Sequence, residues 1–359
     1  MIEYILLTIA TFWLILTGIS RRFNLEAKGV TLVPLVLLMV RTQKFLTTVN
    51  TLSEKMKSFW NTYASVGVAV SVAGIPFSLG YFAWNAYKVL SAPTEAVPVV
   101  PIIPGVTIKI SWGLIIGIII LFFVHEFSHG IVARREGISL KSMGFILLVI
   151  IPGAFVEPDE EEMKKASRLT RIKVYSAGSL ANFLVAALVF ILLLWIPQVP
   201  DGILIYDTIP GTPAADILAE GSIIHQINGV DVPAYETFSQ ELSVYKKGDT
   251  LLLETSEGTV QMVLAEHPDI PGQGYMGIRP VQHVTHFLAI EILSWIFMLN
   301  LSVALFNLFP ISRVLDGGKI TDELLNHFFS EATSKKLGTV FAMLAVGILL
   351  INLLTNVMT

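Results

Sequence analysis

Six apolar stretches constrain the fold of this chain more than any other feature of its sequence. A helix needs about 20 mostly apolar residues to cross a bilayer, and six stretches come close to that length or exceed it. Charged residues make up only 14% of the chain, whereas a soluble domain carries about 25%. The sequence therefore predicts a polytopic α-helical membrane protein with about six transmembrane helices in the lipid bilayer, and it excludes a nucleic-acid partner. The stretches are roughly Ile2–Ile19, Ala64–Val89, Ile110–Ala133, Ile172–Ile196, Phe287–Phe306 and Leu337–Asn356.

Two shorter apolar runs, residues 30–40 and 143–156, are predicted to be re-entrant or interfacial β segments. Neither is long enough to cross a bilayer as a helix, and proline interrupts both, at Pro34 and at Pro152. Non-helical backbone is tolerated at membrane depth only where protein or a water-filled cavity satisfies its polar groups. We therefore expect each run to lie against protein or beside such a cavity.

The distribution of lysine and arginine predicts which side of the membrane each loop faces, because these residues concentrate in cytoplasmic loops. If the N-terminus is outside, residues 21–63, 134–173 and 307–336 face the cytoplasm, and they hold 19 of the 24 Lys and Arg residues, Arg313 included. The prediction is a multi-pass protein of the cell membrane with both termini extracytoplasmic. The first apolar stretch lacks a basic N-terminal region, so we expect an uncleaved anchor.

Residues 201–280 differ from the rest in composition and predict a separate small β-rich domain. They carry 12 acidic and 3 basic residues, a net charge of −9, whereas the whole chain has a net charge of −4. Short alternating or apolar runs lie between turn signals such as Asn228-Gly229, as is typical of strands joined by turns. The predicted organisation is a membrane part at 1–200, an extracytoplasmic domain at 201–280 and a second membrane part at 281–359.

The strongest chemical signal is the run His125-Glu126-Phe127-Ser128-His129, within the predicted helix over residues 110–133. Residues four apart on a helix share a face, so both imidazoles can bind one metal ion. Glu126 is placed beside them to take a proton from a water molecule. Ionisable side chains are costly at this depth and are usually functional. The alternative is two packed histidines and a glutamate that is hydrogen-bonded to neighbouring helices.

A catalytic zinc site keeps three protein ligands and one open position, so one ligand remains to be found. Cysteine is absent from the chain. Asp316 in Leu315-Asp316-Gly317-Gly318 is the best candidate, because it follows the fifth apolar stretch at a depth similar to that of the histidines. Its alternative role is to cap a helix over residues 317–325. The rival carboxylates are more typical of a solvated interfacial run: Glu157, Asp159, Glu160, Glu161 and Glu162.

These motifs resemble the site-2 protease family, the intramembrane zinc metalloproteases of peptidase M50 type. The resemblance rests on His125–His129 in a membrane span, followed after a long gap by Asn307-Leu308-Phe309-Pro310 and Leu315-Asp316-Gly317. Residues 30–42, Pro152–Val156 and Ser176–Asn182 are also similar to family segments. The resemblance covers most of the membrane part.

The resemblance implies one catalytic Zn²⁺ held by His125, His129 and Asp316, with Glu126 as the base and Asn307 as a second catalytic residue. It also implies a strand that holds substrate in an extended form, and a substrate-binding asparagine. An asparagine in a membrane often bonds a neighbouring helix for packing, which is the alternative for both asparagines. The implied substrate-binding residues are Gly153, Ala154, Phe155, Val156 and Asn182.

The β-rich region resembles a PDZ domain of the type found in proteases, on Ile209–Ala215, Glu220–Ile224 and Ile227–Gly229. Ser222 stands where such domains often carry aspartate. The resemblance implies a domain that binds an extended peptide or a C-terminus at a sheet edge. The alternative is a steric cap that filters substrates by size.

The predicted function is that of a zinc metalloendopeptidase acting in regulated intramembrane proteolysis. Its substrates would be single-span membrane proteins, cleaved within or near their transmembrane helix by an active site toward the cytoplasmic side. Two alternatives remain open. One is a zinc-dependent membrane transporter that uses His125, His129 and Asp316 as a permeation site, and the other is an inactive membrane scaffold that works through the PDZ-like domain.

Overall fold

The computed structural model describes residues 2–311 and 314–354, with side chains from residue 7 onward. The chain divides into two compact units. We call Met1–Ile191 together with Ile292–Thr359 the membrane unit, and Leu192–Glu291 the β unit. The predicted domain boundaries at residues 200 and 280 stay predictions, and Arg313 lies outside the described residues.

The described residues form helices and strands throughout both units. The helices are α1 (Ile2–Phe23), α2 (Leu46–Lys55), α3 (Lys57–Ser91), α4 (Trp112–Arg135), α5 (Glu160–Lys165), α6 (Arg168–Trp195), α7 (Pro213–Ile217), α8 (Tyr235–Ser243), α9 (Phe287–Asn307), α10 (Asp316–Phe328) and α11 (Glu331–Leu353). The strands are β1 (Val30–Val33), β2 (Leu37–Thr42), β3 (Leu140–Leu148), β4 (Ile151–Pro158), β5 (Pro200–Thr208), β6 (Ile223–Ile227), β7 (Val230–Asp231), β8 (Thr250–Thr255), β9 (Gly258–Val263), β10 (Ala265–Glu266), β11 (Gly274–Tyr275) and β12 (Ile278–Val284).

Five of the described helices are long and apolar enough to cross a membrane: α3, α4, α6, α9 and α11. They correspond to five of the six predicted spans. The remaining predicted span, Ile2–Ile19, lies in the 22-residue helix α1, which is not among the five. The number of six is therefore not confirmed. The last predicted span reaches residues 355 and 356, which lie outside the described residues.

The two short apolar runs meet in one antiparallel sheet, with the strand order β1-β2-β3-β4. Each run contributes a hairpin, and β2 pairs with β3 so that Leu37 lies opposite Leu148. The hairpin turns are also joined, because the Val149 N–H donates to the Val36 carbonyl at 2.9 Å. The backbone groups of both runs are thus largely satisfied by the sheet, and β4 is left as an edge strand.

Small residues let α3, α4 and α6 approach closely in the membrane unit. Tyr63 of α3 donates its hydroxyl hydrogen to the Ala177 carbonyl of α6 at 2.6 Å. An added Cβ at Gly67 would lie 3.4 Å from Cβ of Ser176. Ala133 of α4 is completely buried in the same cluster. Helix α4 is therefore held along much of its length by its neighbours.

Gly317 determines how closely α10 approaches the end of α9. An added Cβ at this position would overlap the backbone carbonyl of Leu308, which follows α9 directly. A side chain cannot be accommodated there without moving one of the two backbones. The absence of a side chain therefore lets Asp316, the first residue of α10, lie deep in the membrane unit, where it is buried.

The β unit contains an antiparallel sheet with the strand order β12-β5-β6-β8-β9, in which β7 pairs with β6. Alternate residues of its strands are fully buried, such as Ile203 and Ile205 in β5 and Leu251 and Leu253 in β8. The predicted turn residues Asn228 and Gly229 both have positive φ, 48° and 83°, the backbone that a tight hairpin turn requires. This unit therefore has its own hydrophobic core.

Candidate metal centre

Three side chains converge inside the membrane unit: His125 and His129, one turn apart on α4, and Asp316 at the start of α10. The two Nε2 atoms lie 3.1 Å apart. Oδ2 of Asp316 lies 3.2 Å from Nε2 of His129 and 3.5 Å from Nε2 of His125. All three residues are buried. Among the described residues, this is the group of three or more His, Cys, Asp and Glu whose ligand atoms lie close enough for one ion.

The spacing and chemistry of these atoms fit a zinc ion. Zinc bonds of about 2.0–2.1 Å in tetrahedral geometry put neighbouring ligand atoms roughly 3.3–3.4 Å apart, close to the three separations in this group. Oδ2 of Asp316 is buried and has no hydrogen-bond partner among the residues that the structure describes. A buried carboxylate oxygen without a partner is destabilising. A cation at the point between the three ligand atoms, which we call the shared point, would provide that partner. Two imidazoles and a carboxylate are also ligands that zinc accepts.

Helix α6 lines the rear of both imidazoles. Nδ1 of His129 lies 2.7 Å from the carbonyl oxygen of Val174. A carbonyl only accepts, so this nitrogen carries the proton and Nε2 presents its lone pair to the shared point. Asn182 lies beside the other ring, with Nδ2 3.0 Å from Nδ1 of His125. Gly178 lies between them, and an added Cβ would overlap Nε2 of His129.

The carboxylate of Glu126 contacts strand β4. The Val156 N–H donates to Oε2 of Glu126 at 2.9 Å. This N–H points away from β3, which is the strand paired with β4 in the described part of the chain. Glu126 also lines the same cavity as the three candidate ligands. The predicted base and the predicted substrate strand are therefore direct neighbours.

Asn307 lies at the end of α9 and approaches His125 at the ring nitrogen that Asn182 of α6 does not contact. Its Nδ2 is 3.2 Å from Nε2 of His125. The side chain lines the cavity together with the candidate ligands. Its amide group is therefore close to the three candidate ligands.

A cavity of about 800 Å³ opens on the candidate ligands. Ala154, Phe155 and Val156 of the predicted substrate strand line it, and so do apolar side chains of α4 and α9. Charged residues also contribute, namely Glu160, Lys164 and Lys319. The cavity therefore combines apolar walls with a polar region beside the candidate ligands.

Two of the sequence-predicted substrate residues do not line this cavity. Gly153 lies against β3, where an added Cβ would come within 2.8 Å of Cγ2 of Ile146. Asn182 is completely buried, and its amide contacts His125 instead. The geometry thus separates these two residues from Ala154, Phe155 and Val156.

Several of the rival carboxylates, at the end of β4 and just after it, have structural partners outside the three-residue group. Oε2 of Glu157 accepts a hydrogen bond from the Ser142 hydroxyl at 2.5 Å. Asp159 caps α5 by accepting from the N–H groups of Glu161 and Glu162. The N–H of Glu162 is the main cause of a lowered pKa at Asp159. The carboxylates of Glu157 and Asp159 thus have local hydrogen-bond partners.

Lys319 is a charged residue of the site that the sequence analysis missed. Its Nζ lies 3.6 Å from Oδ1 of Asp316 and 5.4 Å from the ring centroid of Tyr175. The signal that could have found it is its spacing, since residues three apart on a helix are neighbours. Its cation faces the carboxylate oxygen that is not directed at the histidines.

Comparisons with known proteins identify the family of the chain. The sequence model of Peptidase family M50 matches residues 113–352. An uncharacterized protein of Methanocaldococcus jannaschii, MJ0971, is 30% identical over 329 residues, covering 88% of this chain and 83% of that protein. A membrane-bound transcription factor site-2 protease homolog of Arabidopsis thaliana is 21% identical over 156 residues, 42% of this chain and 30% of that protein.

Solved structures are similar to part of the chain. One of them is the PDZ domain of an SdrC-like protein from Listeria monocytogenes, with 24% identity, 24% of this chain covered, 94% of that chain covered and a TM-score of 0.22. A TM-score this low does not establish a shared fold, so a PDZ fold for the β unit stays a prediction. The family match spans more than half of the chain and includes all three candidate ligands. The chain belongs to peptidase family M50, the site-2 protease family of membrane metalloproteases.

Proposed function

We propose that this chain is a zinc-dependent intramembrane endopeptidase that cleaves single-span membrane proteins within or near their transmembrane helix. The observation that carries the proposal is the buried group of His125, His129 and Asp316, whose ligand atoms lie 3.1–3.5 Å apart. Glu126 lies beside it, and the group opens on a cavity. His125, Glu126 and His129 lie on α4, a helix apolar enough to span a membrane.

The three ligands would hold one zinc ion, which when bound supplies Lewis acidity that makes water more acidic and polarises a carbonyl group. Glu126 acts as the general base, because it follows His125 directly and its carboxylate faces the same cavity. It takes a proton from the attacking water and delivers it to the leaving amine. For this it gives up, or shares, the hydrogen bond from the Val156 N–H.

Asn307 supplies a hydrogen-bond donor for the oxyanion. Its Nδ2 lies 3.2 Å from Nε2 of His125, so the amide is next to the position where the reacting carbonyl must lie. A fixed donor aimed at developing charge is a large contribution in a site from which water is mostly excluded. The predicted catalytic role of this residue is supported by that proximity.

Strand β4 offers the substrate an open edge. A transmembrane substrate must unwind locally before its carbonyl can be attacked, and the lost backbone hydrogen bonds need replacements at membrane depth. The Val156 N–H points away from β3. Backbone N–H groups two residues apart in a strand point to the same edge, so the Ala154 N–H lies on this edge as well. An extended substrate can therefore pair with β4 as an added strand.

The distribution of basic residues supports an active site toward the cytoplasmic side, with both termini and the β unit extracytoplasmic. We propose that the β unit is a PDZ-like domain that either binds an extended peptide or C-terminus or filters substrates by size. Substrates would then be membrane proteins whose outer part another protease has already trimmed. A cleavage assay with two reporters that differ in their outer segment tests the size filter.

The test reconstitutes the full chain in liposomes with two single-span reporters, one with a short outer segment and one with a folded outer domain. Wild type should cleave the short reporter and release its fragment on the cytoplasmic side. Glu126→Gln should keep its zinc and cleave at least about 100-fold more slowly, the contribution expected of a general base. Glu161→Gln, an exposed carboxylate paired with Lys164, is the matched control.

A zinc-loaded Glu126→Gln variant that cleaves at the wild-type rate contradicts the assignment of the base. Equal cleavage of both reporters contradicts the size filter. Zinc transport across the liposome membrane without cleavage favours the transporter, and neither activity favours the scaffold. Glu126 and Asn307 at the metal position support the protease over both, because neither alternative needs a base or an oxyanion donor there.

A further inference from the structure

Three residues of α6 lie behind the metal centre at a regular spacing. Val174, Gly178 and Asn182 are four residues apart and so share one face of the helix. His125 and His129 on α4 are also four apart, and each ring has its own partner on α6: Asn182 for the first and the Val174 carbonyl for the second. Gly178 lies between these partners and close to both rings.

Asn182 is placed for a structural task at the metal centre and away from substrate. It is completely buried, and it is not among the residues that line the cavity. Within the described part of the chain, its side-chain amide has one hydrogen-bonding contact, with Nδ1 of His125. Oδ1 of the same amide is buried and has no partner among these residues.

The protons around His125 decide which end of the amide faces the ring. A neutral imidazole carries one N–H and one lone pair. The Asn307 amide lies at Nε2 and the Asn182 amide lies at Nδ1. If both amides donated, the ring N–H would have no acceptor. A metal ligand must present its lone pair, so the proton belongs on Nδ1 and the Asn182 oxygen must face it.

We propose that Asn182 is a positioning residue of the metal centre. Its Oδ1 accepts the Nδ1–H of His125, and this directs the Nε2 lone pair to the point shared with His129 and Asp316. A half-turn of the amide exchanges Oδ1 and Nδ2, and it gives the orphaned oxygen a partner. The inference rests on the metal centre proposed above, and it assigns Asn182 a role other than substrate binding.

The Val174 carbonyl accepts the Nδ1–H of His129 in the same way. The two histidines therefore differ in whether a substitution can remove their partner. The carbonyl is backbone and no substitution removes it. The Asn182 amide is a side chain, and removing it leaves the Nδ1–H of His125 buried without an acceptor. Losing such a partner behind a metal-ligating histidine typically lowers metal affinity about 10–100-fold.

The test measures zinc affinity of the full chain in detergent by competition with a chromophoric chelator, for wild type, Asn182→Ala and Asn182→Asp. Asn300→Ala is the matched control, since Asn300 is also completely buried, has an unpartnered Oδ1 and lies outside the cavity. We expect about 10–100-fold weaker binding for Asn182→Ala. Asn182→Asp keeps an acceptor and should bind zinc as tightly as wild type or more tightly. Asn300→Ala should bind like wild type.

The visible spectrum of the cobalt-loaded protein provides a second readout, because a displaced His125 changes the coordination geometry. Asn182→Ala should alter this spectrum and Asn182→Asp should restore it. Equal zinc affinity in wild type and Asn182→Ala overturns the inference, and so does equal weakening of the Ala and Asp variants. If Asn182→Ala does not fold, a tenfold or greater loss in Asn182→Asp overturns it. Wild type that binds no zinc overturns the proposed metal centre instead.

Discussion

At the scale of single residues, the site depends on the absence of a side chain at Gly178 as much as on the three ligands. An added Cβ at Gly178 would overlap Nε2 of His129 and would lie 2.6 Å from Cε1 of His125. Both imidazoles pack against bare backbone of α6, so α4 and α6 can approach closely enough for Val174 and Asn182 to reach the rings. The metal position thus requires a glycine that carries no chemistry of its own.

Gly178→Ala should therefore weaken zinc binding at least about tenfold, because the rings must rotate or the helices must separate, and overpacking of this kind typically also costs about 1–3 kcal/mol of stability. Zinc competition and thermal unfolding measure the two effects. Gly347→Ala in α11 is the control, since an added Cβ there meets nothing within 4 Å. Unchanged zinc affinity in Gly178→Ala would show that the rings do not depend on this contact.

Sequence patterns predict the residues that carry chemistry, and they miss the contacts that orient them. His125 and His129 can be predicted as metal ligands from their helical spacing, and Asp316 from its position in the turn after an apolar stretch. Both signals are local in the sequence. The Val174 carbonyl has no side-chain signature. Asn182 was predicted to contact substrate, because a side chain's partner across 57 residues depends on how two helices are aligned. Lys319 was missed although its partner Asp316 lies only three residues away.

At the scale of elements, the sheet of β1–β4 gives the membrane unit an exposed strand edge beside the metal position. Residues 30–40 and 143–156 were each predicted as extended segments from their length and prolines. Their pairing with each other was not predicted, because local patterns do not specify which distant strands pair or in which register. The consequence for the site is that β4 has one bonded edge, toward β3, and one open edge.

Ala154→Pro removes one N–H from the open edge of β4 and leaves the pairing with β3 intact. Loss of one backbone hydrogen bond to substrate should lower kcat/KM for a single-span reporter roughly two- to tenfold, while zinc content stays constant. Leu32→Pro on β1, the other edge strand of the sheet, is the matched control. A variant at position 154 that matches wild type in kcat/KM would argue against strand addition at β4.

At the scale of the whole molecule, the site forms only if distant parts of the chain meet. His129 and Asp316 are separated by 187 positions, and Oδ2 of Asp316 nevertheless lies 3.2 Å from Nε2 of His129. Gly317 makes this approach possible by leaving room for the backbone of Leu308. Apolar stretches predicted five of the membrane helices, whereas the depth of α10 depends on this backbone contact and has no hydropathy signal.

The most direct test of the account is the zinc content of purified wild type beside that of Asp316→Ala. Wild type should hold about one zinc per chain, and Asp316→Ala should hold less than about a tenth of that after dialysis, because two imidazoles alone leave the site one ligand short. Asp216→Ala, an exposed carboxylate in the β unit, should match wild type. Equal zinc in wild type and Asp316→Ala would contradict the claim that α4 and α10 jointly hold the catalytic ion.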